Sequence, residues 1–297
     1  MRIFQVDAFT ATRFTGNPAT IVLDADGQSD ATLAAVAREF PHAETAFVFG
    51  AGGRDHDVRL RFFNARKEAP FVGHATIAAH AVLLALGRRG EGRWRQHSGT
   101  GIIDVSAEAR PAGTAGPLIA FRQSAPELDT PQPPELMLRI AAALQLPAPQ
   151  LHATIPARVA RKGSARLLIP IAEARHLDAL APDMDGLISL GREIGVEGFF
   201  VFALREPSGD WSTESRMFCP ALGLPEDPVS GNAHAMLAAF LWDLEKFNGK
   251  SSFIGYQGRH LGRPGQVHVR VDIDRGRLIA AHIGGSAVIV SQGALTP

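Results

Sequence analysis

An α+β protein built from two similar halves is the fold class this sequence predicts, and three observations carry it. The chain has 297 residues, enough for two domains of about 150 residues each. Short alternating segments with the two-residue period of strands are interspersed with two helical stretches that lack a polar face. A set of motifs then occurs twice, in the same order. With the last strand returned to the first half, the expected division is 1–115 plus 282–297 for one half and 116–281 for the other.

Ile3-Phe-Gln-Val-Asp-Ala-Phe9 alternates and reads as a strand, Thr15-Gly-Asn-Pro18 as a turn, and Ala19-Thr-Ile-Val-Leu23 as strand again. Ser29 to Glu39 has helical spacing, with Ser29 or Asp30 as N-cap. Ala46–Phe49 and Val58–Phe63 are strand-like. Ala75 to Leu86 is an apolar helix with Gly87 at the place of a C-terminal cap. Such a helix must be covered on all sides. Six prolines between Ala125 and Gln150 suggest a linker region around one surface helix, Glu135 to Leu144. Strands follow near Leu167–Ile169, Gly198–Leu204 and Val267–Val271, a second apolar helix spans Ala233 to Phe247, and Ala287–Val290 is the last strand.

Composition narrows the function. Lys+Arg and Asp+Glu both total 30, whereas a nucleic-acid binder usually carries a basic surplus. Hydrophobic residues make up 45% and charged residues 20%, which suits a buried globular protein. The single cysteine, Cys219, rules out an intrachain disulfide framework and a cysteine-cluster metal site. No stretch has the apolar run of a signal peptide or a membrane span. The expectation is a soluble cytoplasmic protein without membrane or nucleic-acid partners.

The repeat points to the chemistry. Glu68-Ala-Pro-Phe-Val-Gly73-His74-Ala75 matches Glu226-Asp-Pro-Val-Ser-Gly231-Asn232-Ala233, and each copy leads into one of the apolar helices. Upstream, Arg61-Phe-Phe63 parallels Arg216-Met-Phe218, and Glu44-Thr-Ala-Phe-Val-Phe49 parallels Glu197-Gly-Phe-Phe-Val-Phe202. A glycine at a helix start presents unpaired N–H groups and the positive end of the helix dipole, which attract carboxylates. Gly73 and Gly231 are therefore candidate anion-binding turns; the plainer reading is that they only let a helix pack tightly.

Several of these segments are similar to a known pattern: Phe4-Gln-Val-Asp-Ala-Phe9, Phe14-Thr-Gly-Asn17-Pro18, Glu44-Thr-Ala-Phe-Val48, Pro70-Phe-Val-Gly-His74-Ala-Thr76, Glu226-Asp227-Pro-Val-Ser-Gly231, and Gln257-Gly258 followed by Gly262-Arg-Pro264. Over nearly its whole length the chain resembles the phenazine-biosynthesis isomerase family (PhzF-like), of the diaminopimelate-epimerase-like superfamily. The resemblance implies two pseudo-symmetric halves, each a curved antiparallel or mixed sheet wrapped around a central buried helix, with the active site in the cleft between them. It also implies catalysis without cofactor or metal, and a homodimer. The family's acid/base glutamate falls on Glu44, its cleft histidine on His74 and its cleft aspartate on Asp227, with substrate-binding positions at Asn17, Gly73, Ser230, Gly231 and Asn232. The family often has serine where Asn232 stands, and proline where Ala75 stands.

The expected reaction is a proton shift on a small carboxylic acid, like the isomerisation of trans-2,3-dihydro-3-hydroxyanthranilate. Glu44, beside the apolar Ala46–Phe49, takes and returns the proton, as a carboxylate in a partly dry site can. His74 donates a hydrogen bond or steadies charge, and Asp227 orients an amino or hydroxyl group. The structural alternatives are a surface glutamate, a capping histidine and a turn-forming aspartate before Pro228. Glu197, the repeat partner of Glu44, competes for its role. Two other functions stay open: epimerisation of an amino-acid derivative, and carboxylate binding without catalysis. Racemases of the superfamily use a cysteine before each turn glycine; here Val72 and Ser230 stand there, so a two-thiol mechanism is excluded. His80 is expected to be packed, while His42 and His234 flank the motifs. No metal-ligand spacing, phosphate loop or nucleophile elbow occurs.

Overall fold

A computed structural model describes residues 1–40, 44–109, 116–205, 212–247 and 249–295. The chain forms two compact units, Met1–Gln123 with Ile283–Pro297, and Ser124–His282.

In the first unit, β1 (Arg2–Ala8) pairs antiparallel with β2 (Asn17–Leu23), and β2 runs parallel to β3 (Thr45–Phe49). Then β3 pairs antiparallel with β4 (Val58–Phe63), β4 lies parallel to β6 (Gly92–Ser98), and β6 turns back into β7 (Gly101–Glu108). The short β5 (Glu68–Ala69) adds to the end of β4, and the final strand β18 (Ala287–Ala294) pairs with β1. The helix α1 (Asp30–Arg38) covers one face of this sheet, burying Leu33, Val36 and Ala37 against Ile3, Val22, Phe47 and Phe63. Its cap is Ser29, whose Oγ accepts from the Thr32 amide. The other face wraps α2 (Gly73–Ala85), which touches β1, β2, β3 and β18. All but two of its first eleven side chains from His74 onward are alanine, histidine, threonine or branched aliphatics packed out of water.

The second unit repeats this order. After β9 (Glu127–Pro131), β10 (Arg158–Arg161) and β11 (Ala165–Pro170) are antiparallel, and β11 runs parallel to β12 (Gly198–Arg205). Next, β12 pairs antiparallel with β13 (Ser212–Cys219), β13 lies parallel to β15 (Ser252–Gln257), and β15 turns back into β16 (Gly265–Asp274), which β17 (Arg277–Gly285) follows. The short β14 (Leu224–Asp227) adds to β13. Helices α3 (Pro134–Ala143) and α4 (Met184–Ile194) bury Leu136, Ile140, Leu187 and Leu190 on one face. The buried α5 (Gly231–Asp243) lies on the other, against β10, β11 and β16.

The repeat holds to single residues. Phe63 faces Glu68 in the first unit as Phe218 faces Glu226 in the second. Arg61 grips Glu68 through Nε and Nη2 at 2.8 and 2.7 Å, and Arg216 grips Glu226 the same way at 2.9 and 2.8 Å. Both central helices span 13 residues. Both end in a left-handed residue, Gly87 and Glu245, whose amides and those of Arg88 and Lys246 close on the carbonyls of the last turn.

Two sequence expectations need revision. The proline-rich stretch is not a linker: Glu127–Pro131 pairs with Arg158–Arg161 and lies wholly in the second unit. Its prolines sit where they cost least, Pro131 closing a strand and Pro134 at the first position of α3. The change of unit, placed after 115 from sequence, falls at Gln123, because β8 (Leu118–Ser124) pairs with β7 through Val105 and Phe121.

Candidate active site

In the first unit two predicted residues meet. Glu44 directly precedes β3, with its carbonyl accepting from the Thr20 amide of β2 at 3.2 Å. His74 is the second residue of α2 and is 9% exposed. Its Nε2 lies 3.5 Å from Glu44 Oε2, and the glutamate side chain keeps 23% of its exposure. A largely buried carboxylate beside an imidazole, at the positive end of a helix, can hold and pass a proton while its partner stays neutral or donates a hydrogen bond. Gly73, just before His74, lies against Phe121: a Cβ there would come within 2.8 Å of Phe121 Cζ. That close approach supports the plainer reading, in which this glycine lets the helix pack tightly. Asn17 opens β2, buried and opposite Ala8. The preceding loop is tied down by Asp7, whose Oδ2 accepts from the Phe14 amide at 2.6 Å.

In the second unit Asp227 ends β14 and Ser230 caps α5, its Oγ accepting from the Ala233 amide. Ser230 also gives its own amide to Gln257 Oε1 at 3.1 Å. Gly231 begins the helix, and Asn232, the counterpart of His74, donates Nδ2–H to Ser164 Oγ at 3.0 Å. The structure thus gathers Glu44 with His74 in one unit, and Asp227, Ser230, Gly231 and Asn232 around one turn in the other.

The two repeat glutamates differ in their surroundings. Glu197 Oε2 accepts from Arg166 Nη1 at 3.1 Å and from the Ala165 amide at 3.3 Å. Arg166 faces Gly198 across β11 and β12 as Thr20 faces Thr45 across β2 and β3. The first unit therefore has a threonine, bonded to Gln5, where the second has the arginine that engages Glu197. The asymmetry was invisible in sequence because Arg166 stands 31 residues before Glu197, and only the strand register brings them together.

Two further histidines, His80 and His234, are structural. His80 is fully buried, stacked on Trp94 at 4.6 Å and bonded through Nε2 to Gln96 Oε1, and burial pushes its pKa down to about 4. His234 is also fully buried, with Nδ1 on the Ser230 carbonyl at 2.7 Å, and burial likewise takes it down to about 4. It does not flank an open site but fills the space left by Gly255, whose absent Cβ would lie 2.2 Å from its Nε2. His42 lies outside the described residues. Cys219 is buried. No group of three or more His, Cys, Asp or Glu able to hold a metal occurs among the described residues. No helix among them is long and apolar enough to cross a membrane.

A mixed sheet wrapped on a buried helix, doubled, is a diaminopimelate-epimerase-like fold, and relatives matched over nearly the whole chain place the protein in the isomerase class of enzymes. The family described as phenazine biosynthesis-like protein matches residues 6–293, and the chain belongs to it. It is 38% identical over 296 residues to an uncharacterized isomerase, YddE, of Salmonella typhimurium, covering 97% of this chain and 96% of that one. Among solved structures, a PhzF-family phenazine biosynthesis protein of Bacillus anthracis superposes with a TM-score of 0.89 at 25% identity, over 100% of this chain and 99% of the other. A predicted epimerase of Pseudomonas aeruginosa gives 0.81 at 28% identity, over 100% and 99%.

Proposed function

We propose that the protein is a cofactor- and metal-independent isomerase that moves a proton between two carbons of a small carboxylic acid, with Glu44 as the acid/base. The carrying observation is the contrast between Glu44, beside His74 at a helix start, and Glu197, engaged by Arg166. In this reading the Glu44 carboxylate takes a proton from an activated carbon, and the resulting carboxylic acid returns it to another carbon as the double bond shifts. No atom is gained or lost. His74 donates a hydrogen bond to the charge that develops, a helix-start turn binds the substrate carboxylate, and Asp227 orients an amino or hydroxyl group. The same reading carries a cytoplasmic homodimer that binds neither nucleic acid nor membrane; its mass by light scattering in solution tests the dimer.

The test is turnover of trans-2,3-dihydro-3-hydroxyanthranilate in deuterated buffer, followed by NMR. Double-bond migration supports the reading, with deuterium at the new carbon position to the extent that the Glu44 carboxylic acid exchanges with solvent before it returns the proton. The likeness to a predicted epimerase favours a second reaction, inversion at a carbon next to a carboxylate. Solvent deuterium entering with inversion and no migration assigns that one instead. Absence of both on small carboxylic acids that nonetheless bind leaves a binding protein.

A further inference from the structure

The segment Gln257-Gly258 with Gly262-Arg263-Pro264 has no part in the chemistry described so far. We propose that Gln257 is a positioning residue that sets the turn Asp227–Gly231 for substrate binding, an inference that rests on the proposed function.

Gln257 ends β15 and is 3% exposed. Its two amide atoms are both spent on that turn: Nε2 donates to the Asp227 carbonyl at 2.6 Å, and Oε1 accepts from the Ser230 amide at 3.1 Å. One planar side chain therefore fixes the distance between the residue bearing the candidate aspartate and the residue capping α5. A buried amide satisfied at both ends is costly to disturb and holds one geometry. The next residue locks the arrangement from behind. Gly258 has φ +88, and a Cβ on it would come 2.7 Å from the Pro228 carbonyl oxygen and 2.2 Å from that of Arg263. Only glycine allows the backbone to approach this closely. Its own carbonyl accepts from the Leu261 and Arg263 amides, closing the loop that carries Gly262.

The repeat supplies an internal control. Parallel pairing of Val58 with Gln96 in the first unit, and of Thr213 with Gly255 in the second, makes Ser98 the counterpart of Gln257. Ser98 turns its hydroxyl to Thr100 and the Gly101 carbonyl, within its own hairpin. The clasp is thus a property of the second turn. It also defines what Ser230 offers a ligand: its amide is taken by Gln257 and its Oγ accepts from Ala233, leaving the hydroxyl hydrogen as its donor.

The test compares Gln257→Ala and Gln257→Glu with wild type, and uses Ser98→Ala as control. Hydrogen exchange of the Ser230 amide, read by NMR without ligand, is expected to speed up by at least about tenfold in Gln257→Ala and to stay unchanged in Ser98→Ala. On trans-2,3-dihydro-3-hydroxyanthranilate the same variant is expected to raise KM about tenfold with a much smaller change in kcat. Gln257→Glu keeps the acceptor but regains a donor only when protonated. Its KM relative to wild type is expected to fall as pH drops through the titration of that carboxyl, which a merely structural role does not produce. Unchanged Ser230 exchange overturns the clasp. Faster exchange with an unchanged KM overturns its role in binding. A wild type that neither converts this acid nor binds anthranilate overturns the proposed reaction and the substrate half of this inference, while the exchange result still decides the clasp.

Discussion

Glu44 and Glu197 occupy the same place in two copies of one design, yet a single strand neighbour separates their chemistry. In the second unit Arg166 stands opposite Gly198, where a Cβ would meet its Cδ at 3.0 Å, and its guanidinium engages Glu197; in the first, Gln5 stands opposite Thr20 and the two side chains bond each other. Glu197→Gln is therefore expected to leave kcat for the isomerisation unchanged while removing an ion pair. A loss of turnover in steady-state assays would place the acid/base in the wrong half. The candidate glutamate was legible only through motif resemblance, because a glutamate ahead of an apolar strand occurs twice in the sequence. Gln257 was visible as a motif but not as a clasp, since its partners Asp227 and Ser230 lie 30 and 27 residues away.

At the scale of elements, the repeated arginine–glutamate grip and the two helix ends make distinct predictions. Arg216 and Glu226 keep only 10% and 9% of their side-chain exposure, and Arg216 also donates to the Leu177 and Leu180 carbonyls. Removing one partner strands a buried charge, so Arg216→Ala is expected to lower stability by about 3–5 kcal/mol in urea unfolding. Arg61→Ala, with Glu68 at 43% exposure, is expected to cost about 1 kcal/mol or less. Equal losses in the two units would contradict this account of burial. At the end of α5, exposed Glu245 adopts φ +55 where α2 has Gly87. Glu245→Gly is expected to raise stability by about 0.5–1 kcal/mol, the relief of a left-handed side chain less the entropy glycine adds to the unfolded chain. A lower unfolding midpoint would contradict it. The central helices were readable because unbroken apolar character over three turns admits no exposed surface. The hairpin of β6 and β7 was not, since two of the inward residues of β6, Gln96 and Ser98, are polar and hide the alternation. The helix α4 was missed because Gly186, Ser189 and Gly191 dilute its propensity, although Asp183 caps its start and left-handed Gly195 its end.

The whole molecule carries no net formal charge, so its pH response comes from particular buried groups. His80 and His234 are held near 4 by burial, and His152 is also lowered, chiefly by burial. Above the ordinary value of 6.5 they are neutral folded or unfolded and contribute no pH dependence. Below it the unfolded chain takes up protons that the folded one refuses, so stability falls between 6.5 and about 4. The expected slope is about 1.4 kcal/mol per pH unit for each fully buried histidine. Asp24, Asp178 and Glu193 are lowered by arginine or histidine hydrogen bonds from ordinary values of 3.8, 3.8 and 4.5. Their contribution is lost only as pH falls further, which leaves the upper part of the window to the histidines. Urea unfolding at pH values above and inside it tests this, and a flat stability there would contradict it. The central claim, that Glu44 is the acid/base, is tested most directly by comparing turnover of trans-2,3-dihydro-3-hydroxyanthranilate by wild type and Glu44→Gln at equal folded concentration. The account predicts conversion by the wild type and a loss of about 10²–10⁴-fold in kcat for the variant; wild-type kcat in Glu44→Gln would contradict it.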